Sequence, residues 1–574
     1  MSQKNCKTYR ARLLGSSGVD RSAFLGEDGW ERIENFRIDP SGALIKRPGR
    51  RKYATLPYAA VDVLPHGVKG KDGKTYDLFA LTPPYVTAVS SSDGSYSQLE
   101  RDLVEDGRKM NACLFDGDVY LTDANALKRF HADLGYFLFE HGYAPLYGRG
   151  WDPATRGEIF ESPNLLGNNI RINYKVKEAA TSLSVGVAVK SVARVEINGV
   201  SYSDYTVNGT YIGGTFPEKS EVDVWLTGDF TRNFGFTNCC SSAVVGSGEG
   251  ERMVCFNSRQ NPPMIYCSRP VDEKSFEDSV KGFPGESRLY FPAELTLRIG
   301  NLGRAVTAIC PCNGGFAVFT DSAAFYARFE DGELCCSPIS TDIGCVARRA
   351  VIFKNGRVYT FCKHGIYAFD IDTAAPERTT VERISDPISG DEDFKIDESC
   401  MILDNEKDGE LWFRCPGHIF IYNLKFNRFF SYSNLPTDLL LAVGGRVLTF
   451  NGRDMWGFEA ELYQDTDGNT RSDFTANART RWIILGDPEI KKSGAEVGAV
   501  FKIDGGGRFN VGVETDSGFS EPHAVFGRDA MSPDVANIRV SRCRFTAIRV
   551  ALTSYEATRP RIFELNIKAH ACTE

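Results

Sequence analysis

Apolar and polar residues alternate with the period of β-strands through most of the chain, in short runs that are separated by turns containing Gly. A representative stretch is "RRAVIFKNGRVYTFCKHGIYAFDIDT", which begins at Arg348. Its Asn355-Gly356 pair is the turn type that joins two antiparallel strands in a tight hairpin. Patterns with the 3.6-residue period of helices are scarce. The chain is therefore predicted to be all-β.

The same strand-turn-strand unit recurs along the chain at a spacing of about 40–50 residues, as in propeller repeats. Such a unit cannot bury both faces alone, and a ring of stacked units solves this problem. The sequence predicts a β-propeller core. The candidate blades lie near residues 75–100, 107–135, 250–270, 304–330, 348–376, 400–432 and 439–460.

Two regions differ from the blades. Residues 150–235 contain long alternating strands with other turns, such as "SLSVGVAVKSVARVEING", and predict an inserted antiparallel β domain. The strands after about residue 475 predict a C-terminal β-sandwich-like lobe. The predicted division is 1–60 for an N-terminal arm with a basic hairpin, 61–148 for the first blades, 149–236 for the inserted β domain, 237–462 for the remaining blades and 475–574 for the C-terminal β lobe.

Composition narrows the functional classes. The net charge of −8 over 574 residues argues against tight non-specific nucleic-acid binding by the whole surface. No signal peptide is evident at the N-terminus, and no apolar run is long enough to span a bilayer. The cysteines are scattered and often follow strand-like runs, which predicts reduced, buried thiols. Examples are Cys255, Cys267, Cys362 and Cys415.

Motifs for metal or catalytic chemistry are weak. "DTDGN" places Asp465, Asp467 and Asn469 like the start of a calcium loop, but the Glu expected at position twelve is missing. A β-turn is the preferred interpretation, with a metal site as the alternative. The chain has no HExxH and no G-x-S-x-G motif. We predict no cofactor and no enzyme, although a pair of carboxylates acting on a glycan stays an alternative.

The segment "SGALIKRPGRRKY", residues 41–53, is unusually basic for an acidic chain. It predicts a turn at residues 40–42, a short strand, and a second turn at Pro48-Gly49. Its five cations then lie on both sides of a hairpin-like connection. They are Lys46, Arg47, Arg50, Arg51 and Lys52.

This segment also resembles a signature of bacteriophage tail proteins of the nozzle kind, which includes tail tubular protein B and the phage-stabilisation proteins of short-tailed phages. In those proteins the pattern N-x-x-x-x-x-x-G-x-L-x-x-R-P-G precedes a propeller. The C-terminal strands, from "RTRWIILGDPEI" to "RVSRCRFTAIRVAL", are similar to their closing lobe. The matching positions here are Asn35, Gly42, Leu44, Arg47, Pro48 and Gly49.

The resemblance implies a virion tail protein, assembled in the host cytoplasm, that forms an axial hexameric ring below the head-to-tail adaptor. Its partners would be the adaptor ring, tail fibres or spikes, and double-stranded DNA that passes without sequence readout. An acidic lumen would let DNA slide. The five cations are then expected at a subunit or adaptor contact, because Arg pairs with carboxylates of a neighbour. Two alternatives stay open, a DNA-facing basic ring and a propeller that binds a receptor or glycan at the tail tip.

Overall fold

The structure is a computed structural model, and it contains many strands and few helices. Among the residues it describes, no helix is long and apolar enough to cross a membrane. Those residues are 7–14, 29–101, 103, 110–139, 147–161, 169–228, 236–247, 250–270, 289–300, 303–487, 489–504, 507–518, 520–527, 533–554 and 558–571.

The N-terminal segment contributes five strands, and none of its described strands stands as a separate arm. Each strand joins a sheet whose other members come from distant parts of the chain. Their bounds are β1 Lys7–Leu14, β2 Trp30–Glu34, β3 Phe36–Ile38, β4 Leu44–Lys46 and β5 Gly49–Thr55.

Two four-stranded antiparallel sheets follow and form blades 1 and 2 of a propeller. Each sheet is a meander in which consecutive strands pair. Blade 1 contains β6 Asp62–Lys69, β7 Thr75–Thr82, β8 Tyr85–Val89 and β9 Tyr96–Arg101. Blade 2 contains β10 Asn111–Phe115, β11 Asp118–Thr122, β12 Leu127–His131 and β13 Tyr136–Phe139.

The chain then leaves the propeller for the inserted domain, which has one six-stranded and one three-stranded sheet. The buried residues of its apolar cluster all belong to the domain itself, from Ile159 to Leu226. The strands are β14 Tyr147–Asp152, β15 Gly157–Glu161, β16 Asn169–Val176, β17 Ala180–Ser184, β18 Val189–Ile197, β19 Val200–Ser201, β20 Thr206–Asn208, β21 Tyr211–Phe216 and β22 Ser220–Gly228.

Blades 3 to 7 follow in chain order. Blade 3 consists of β23 Cys239–Val245, β24 Arg252–Ser258, β25 Met264–Cys267 and β26 Thr296–Arg298. Blade 4 consists of β27 Val306–Cys312, β28 Gly315–Thr320, β29 Ala324–Glu330 and β30 Glu333–Ser340. Blade 5 consists of β31 Val351–Lys354, β32 Arg357–Cys362, β33 Gly365–Asp370 and β34 Thr380–Arg383. Blade 6 consists of β35 Met401–Asn405, β36 Glu410–Cys415, β37 His418–Asn423 and β38 Arg428–Tyr432. Blade 7 begins with β39 Leu439–Val443, β40 Arg446–Asn451 and β41 Asp454–Glu459.

The fourth strand of blade 7 is β5, which pairs antiparallel with β41 although some 400 residues separate them in the chain. The first strands of the seven blades contact one another in a closed circle, and β39 of blade 7 lies against β6 of blade 1. Aromatic side chains pack between blades, for example Phe79 against Phe130 with ring centroids 4.8 Å apart. The ring is thus closed by a strand from the N-terminal segment.

The C-terminal strands build a two-sheet sandwich. One sheet has the order β3-β4-β51-β46-β49, and the other continues blade 6 through β2, β44, β50, β47 and β48. Phe501 and Phe509 pack across the two sheets with ring centroids 5.0 Å apart. The remaining strands are β42 Asp465–Asp467, β43 Thr470–Ser472, β44 Ala476–Thr480, β45 Ile483–Ile484, β46 Lys492–Asp504, β47 Gly507–Thr515, β48 Ser520–Gly527, β49 Asp534–Phe545, β50 Ala547–Ser554 and β51 Arg559–Ala571.

Helical structure in the described residues is confined to short 3-10 turns. They include Phe236–Asn238, Ala293–Leu295, Pro376–Arg378, Asp386–Ile388 and Glu406–Asp408.

The predicted fold class is confirmed: an all-β protein with a propeller core, an inserted antiparallel β domain and a C-terminal β-sandwich-like lobe. The turn at Asn355-Gly356 has positive φ at both residues, as its sequence predicts. Cys255, Cys267, Cys362 and Cys415 are buried and free, which agrees with the prediction of reduced thiols. The domain limits drawn from the sequence stay a prediction.

Candidate functional site

Asn35 lies at the junction of the propeller and the C-terminal lobe. Its backbone has φ 56°, in the left-handed region that Asn tolerates better than most residues. Its side-chain amide donates to Ser433 Oγ at 3.1 Å and to the Thr475 carbonyl at 2.8 Å. Its Oδ1 accepts hydrogen bonds from the Ser433 N–H and from Arg47 Nε. One buried amide therefore links blade 6, the start of the lobe and the signature arginine.

The turn between β3 and β4 contains the signature residue Gly42, and Leu44 follows it at the start of β4. Gly42 has φ 87°, a conformation that disfavours any residue with a Cβ. The Asp39 carboxylate accepts hydrogen bonds from the backbone N–H groups of Ser41 and Ala43. Leu44 is fully buried and pairs with Ile562 of β51, so the turn places β4 in a sheet of the C-terminal lobe.

Arg47 is the centre of the segment, and its side chain has no exposed surface. Its two terminal nitrogens bind the two oxygens of Asp465, each at 3.1 Å. One of them also donates to the Pro48 carbonyl at 2.9 Å. The guanidinium carbon lies 3.5 Å from the centre of the Phe474 ring. A planar cation that makes a bidentate pair and stacks on an aromatic face cannot be replaced by Lys without loss.

Asp465 also binds Arg50, a second cation of the segment. The backbone N–H of Arg50 donates to Asp465 Oδ1 at 2.8 Å, and Arg50 Nε lies 3.7 Å from Oδ2. Burial lowers the pKa of Arg50 to about 10, and Asp465 partly opposes that effect. Burial also acts to raise the pKa of Asp465, but Arg47 and Arg50 outweigh it and leave that pKa below its ordinary value.

Gly49 is required by close packing at the crossover from the lobe to blade 7. Its N–H donates to the Leu462 carbonyl at 2.7 Å. A Cβ added to Gly49 would lie 2.0 Å from the carbonyl oxygen of Gln464, far inside van der Waals contact. The preceding Pro48 has no N–H to satisfy, which suits a residue between two sheets. Pro48-Gly49 is a crossover and not the hairpin turn that the sequence predicted, because β4 and β5 belong to different sheets.

The predicted contact role of the cations needs correction. Lys46, Arg47 and Arg50 are buried within the chain, so their side chains cannot reach a neighbouring subunit, the adaptor or DNA. Only Arg51 is well exposed, with 52% of its side-chain surface accessible, and it pairs with Glu459 at 3.2 Å. Lys52 binds Asp454 and Asp467 of its own chain. A contact at Arg51 and Lys52 stays a prediction.

The weak calcium-loop candidate is also accounted for by pairing within the chain. Asp465 and Asp467 lie on β42, and the turn to β43 passes through Asn469 and through Gly468, which has φ 58°. The oxygens that a cation would need are bound to Arg47, Arg50 and Lys52. Among the described residues, no group of three or more His, Cys, Asp or Glu is placed to hold a metal ion.

These contacts make the signature segment, residues 35–49, a clamp between three parts of the fold. Its strands and side chains join blade 6, the C-terminal lobe and blade 7. The lobe is also tied to the N-terminus by β1, which pairs with β51 over its whole length from Lys7 to Leu14. The sequence could not indicate Asp465 as the partner of Arg47, since the two residues are more than 400 positions apart and only a tertiary contact joins them.

The depressed pKa of Asp465 predicts a specific pH dependence. A carboxyl group whose pKa is lowered by folding stabilises the fold above its unfolded pKa of about 4 and loses that contribution as the pH falls through the folded value. The Asp465→Asn variant should therefore be less stable than the parent protein at neutral pH, and this difference should shrink below about pH 4. Denaturant midpoints measured from pH 7 to pH 3 test this, and a difference that does not change with pH would contradict it.

Comparisons with known proteins were made for the whole chain. No family model matches it, and no curated protein matches it. Among solved structures, apo AztD from Citrobacter koseri is similar at 11% identity over 69% of this chain and 89% of that chain, with a TM-score of 0.28. An exo-β-1,3-galactanase from Phanerochaete chrysosporium is 10% identical over 83% and 98% of the two chains, with a TM-score of 0.18.

The carbohydrate-binding module TmCBM61, solved with β-1,4-galactotriose, is 10% identical over 21% of this chain and 72% of that chain, with a TM-score of 0.14. Scores this low do not establish a shared arrangement of strands. These similarities therefore do not allow a ligand or an activity to be inferred for this chain.

Proposed function

We propose that this chain is a structural protein of a bacteriophage tail, of the nozzle kind, which continues the DNA channel below the head-to-tail adaptor. The observation that supports the proposal best is the physical role of the signature residues. Asn35, Gly42 and Gly49 each meet a backbone or packing requirement of the clamp, and Arg47 fills its centre. The resemblance to nozzle proteins therefore rests on residues that determine the fold.

The architecture suits a protein that must stay folded while DNA is driven past it. The first described strand, β1, is paired with the last, β51, and a strand from the N-terminal segment closes the propeller ring. Neither end of the described chain is then a free edge at which unfolding begins. The net charge of −8 favours sliding of DNA over gripping it, because carboxylates repel phosphates.

The inserted domain supplies a surface for fibres or spikes. It has its own apolar core, yet it leaves large apolar side chains in solvent. In this proposal the exposed aromatic and aliphatic side chains of the domain are its points of contact with fibres or spikes. These residues are Trp151, Val200, Val207 and Tyr211.

A second candidate function is recognition of a glycan or receptor at the tail tip, and Trp151 favours it. Its side chain is 53% exposed on β14, and Lys177 Nζ lies 5.1 Å from the centre of its ring. An exposed indole is a stacking surface for a sugar ring. In this alternative the propeller would carry the binding domain and would not line the DNA channel.

One experiment separates the two functions. Particles are assembled without this chain, and their DNA content and attachment to cells are measured, with purified chain added back as the control. The nozzle proposal expects heads that package DNA and then lose it, and restoration by the added chain. Particles that keep their DNA and fail only to attach would contradict the nozzle proposal and support receptor recognition.

A further inference from the structure

A cavity of about 600 Å³ opens at the mouth of the propeller channel. All seven blades contribute to its wall through residues at or just before their first strands, including Val61 of blade 1, Met110 of blade 2 and Leu439 of blade 7. Cavities of this size hold ligands as large as a monosaccharide or a small organic acid. Neither the clamp nor the proposed tail function uses this cavity.

Two consecutive arginines reach across the channel inside this cavity. Arg348 and Arg349 precede the first strand of blade 5, and both bind the carboxylate of Asp62 at the start of blade 1. Arg348 contacts Asp62 Oδ2 at 2.9 Å, and the Asp62 side chain is 1% exposed. Two cations therefore share one buried carboxylate across the axis.

The donors of these arginines are mostly unused. A guanidinium carries five N–H donors, and no partner other than Asp62 is found for either side chain among the residues that the structure describes. About a quarter of each side chain is exposed, 27% for Arg348 and 23% for Arg349. Burial lowers the pKa of each arginine to about 10, which still leaves both charged at neutral pH.

A third arginine completes the positive wall. Arg414 donates to the carbonyls of Thr437 and Ser399, and its nearest carboxylate oxygen, on Asp438, is 3.9 Å away. Two acidic residues, Asp438 and Glu398, also line the cavity, and both are exposed to solvent. The side chains of Arg348, Arg349 and Arg414 are 10–27% exposed, less than that of Asp438 at 55%, so solvent screens the charges of the arginines less.

We infer that this axial cavity binds a small organic anion through a carboxylate that pairs with Arg348 and Arg349. The planar guanidinium matches a carboxylate in two parallel hydrogen bonds. Apolar wall residues, such as Val346 and Met401, give the carbon skeleton of the ligand a surface to contact. This inference does not depend on the tail function.

The test measures binding of citrate and D-glucuronate by calorimetry, with D-glucose as the neutral control and inorganic phosphate as a second anion. We expect at least one carboxylate to bind and glucose not to bind. Loss of a charge-assisted hydrogen bond is worth about 1.5–3 kcal/mol, so Arg349→Met should weaken binding by about tenfold or more. Arg304→Met, which removes an exposed arginine that pairs with Asp321 of blade 4, should leave binding unchanged.

Arg349→Lys keeps the charge beside Asp62 but removes the planar fork, and it serves if the Met variant does not fold. It should bind less tightly than the parent protein. Three results would overturn the inference: no carboxylate binds, whether or not phosphate does; glucose binds as tightly as the carboxylates; or carboxylate binding is the same in the parent protein and in both Arg349 variants.

Discussion

Replacing Arg47 by Met is expected to lower the free energy of unfolding by about 3–5 kcal/mol, the usual cost of breaking a buried ion pair by removing one partner. The guanidinium has no exposed surface and binds both oxygens of Asp465. Without it, Asp465 keeps only Arg50, and the Asn35 Oδ1 loses one of its two donors. The measurement is the denaturant midpoint followed by fluorescence and circular dichroism.

Arg51→Met is the matched control for this prediction. Arg51 is four positions further along the same basic segment, and its side chain is half exposed beside Glu459. Exposed ion pairs contribute at most about 1 kcal/mol, so this change should move the midpoint little. Equal effects of the two substitutions would show that Arg47 does not hold the clamp together.

Gly49→Ala is expected to destabilise the protein by about 3 kcal/mol or more, beyond the usual range for overpacking by one methyl group. The new Cβ would overlap the Gln464 carbonyl oxygen at 2.0 Å. That backbone has little freedom to move, because the neighbouring Asp465 is held by Arg47 and Arg50. The displaced strand would be β5, the strand that closes blade 7.

Gly67→Ala is the control for this glycine. Gly67 lies on β6, where a Cβ meets no atom within 4 Å and the backbone is not in the left-handed region. The substitution should change stability by no more than about 0.5 kcal/mol. Partial proteolysis distinguishes the two variants further, since only Gly49→Ala should expose blade 7 to cleavage. A Gly49→Ala variant as stable as Gly67→Ala would refute the proposed packing.

The sequence predicted local features well because local chemistry determines them. The Asn355-Gly356 turn and the strand-turn-strand blades follow from residues that are neighbours in the chain. The closure of blade 7 by β5 could not be predicted in this way, since alternation shows that a segment is a strand and not which distant strand it pairs with.

The same limit explains why the basic segment was predicted at a surface contact although three of its cations are buried. A run of Lys and Arg in an acidic chain indicates a surface contact, and only the tertiary structure shows Asp465 in position to neutralise two of them. The axial arginines were missed for a related reason. Arg348 and Arg349 stand just before the first strand of a blade, and this position faces the channel only once the ring is closed.

A cryo-EM reconstruction of the particle that carries this chain would show whether the chain forms the DNA channel of the tail. We expect several copies around the tail axis below the adaptor, enclosing a channel wide enough for duplex DNA, with Lys46, Arg47 and Arg50 buried inside each copy. Copies placed off the axis, on fibres or at the periphery of the tail tip, would contradict the conduit function and leave receptor recognition in its place.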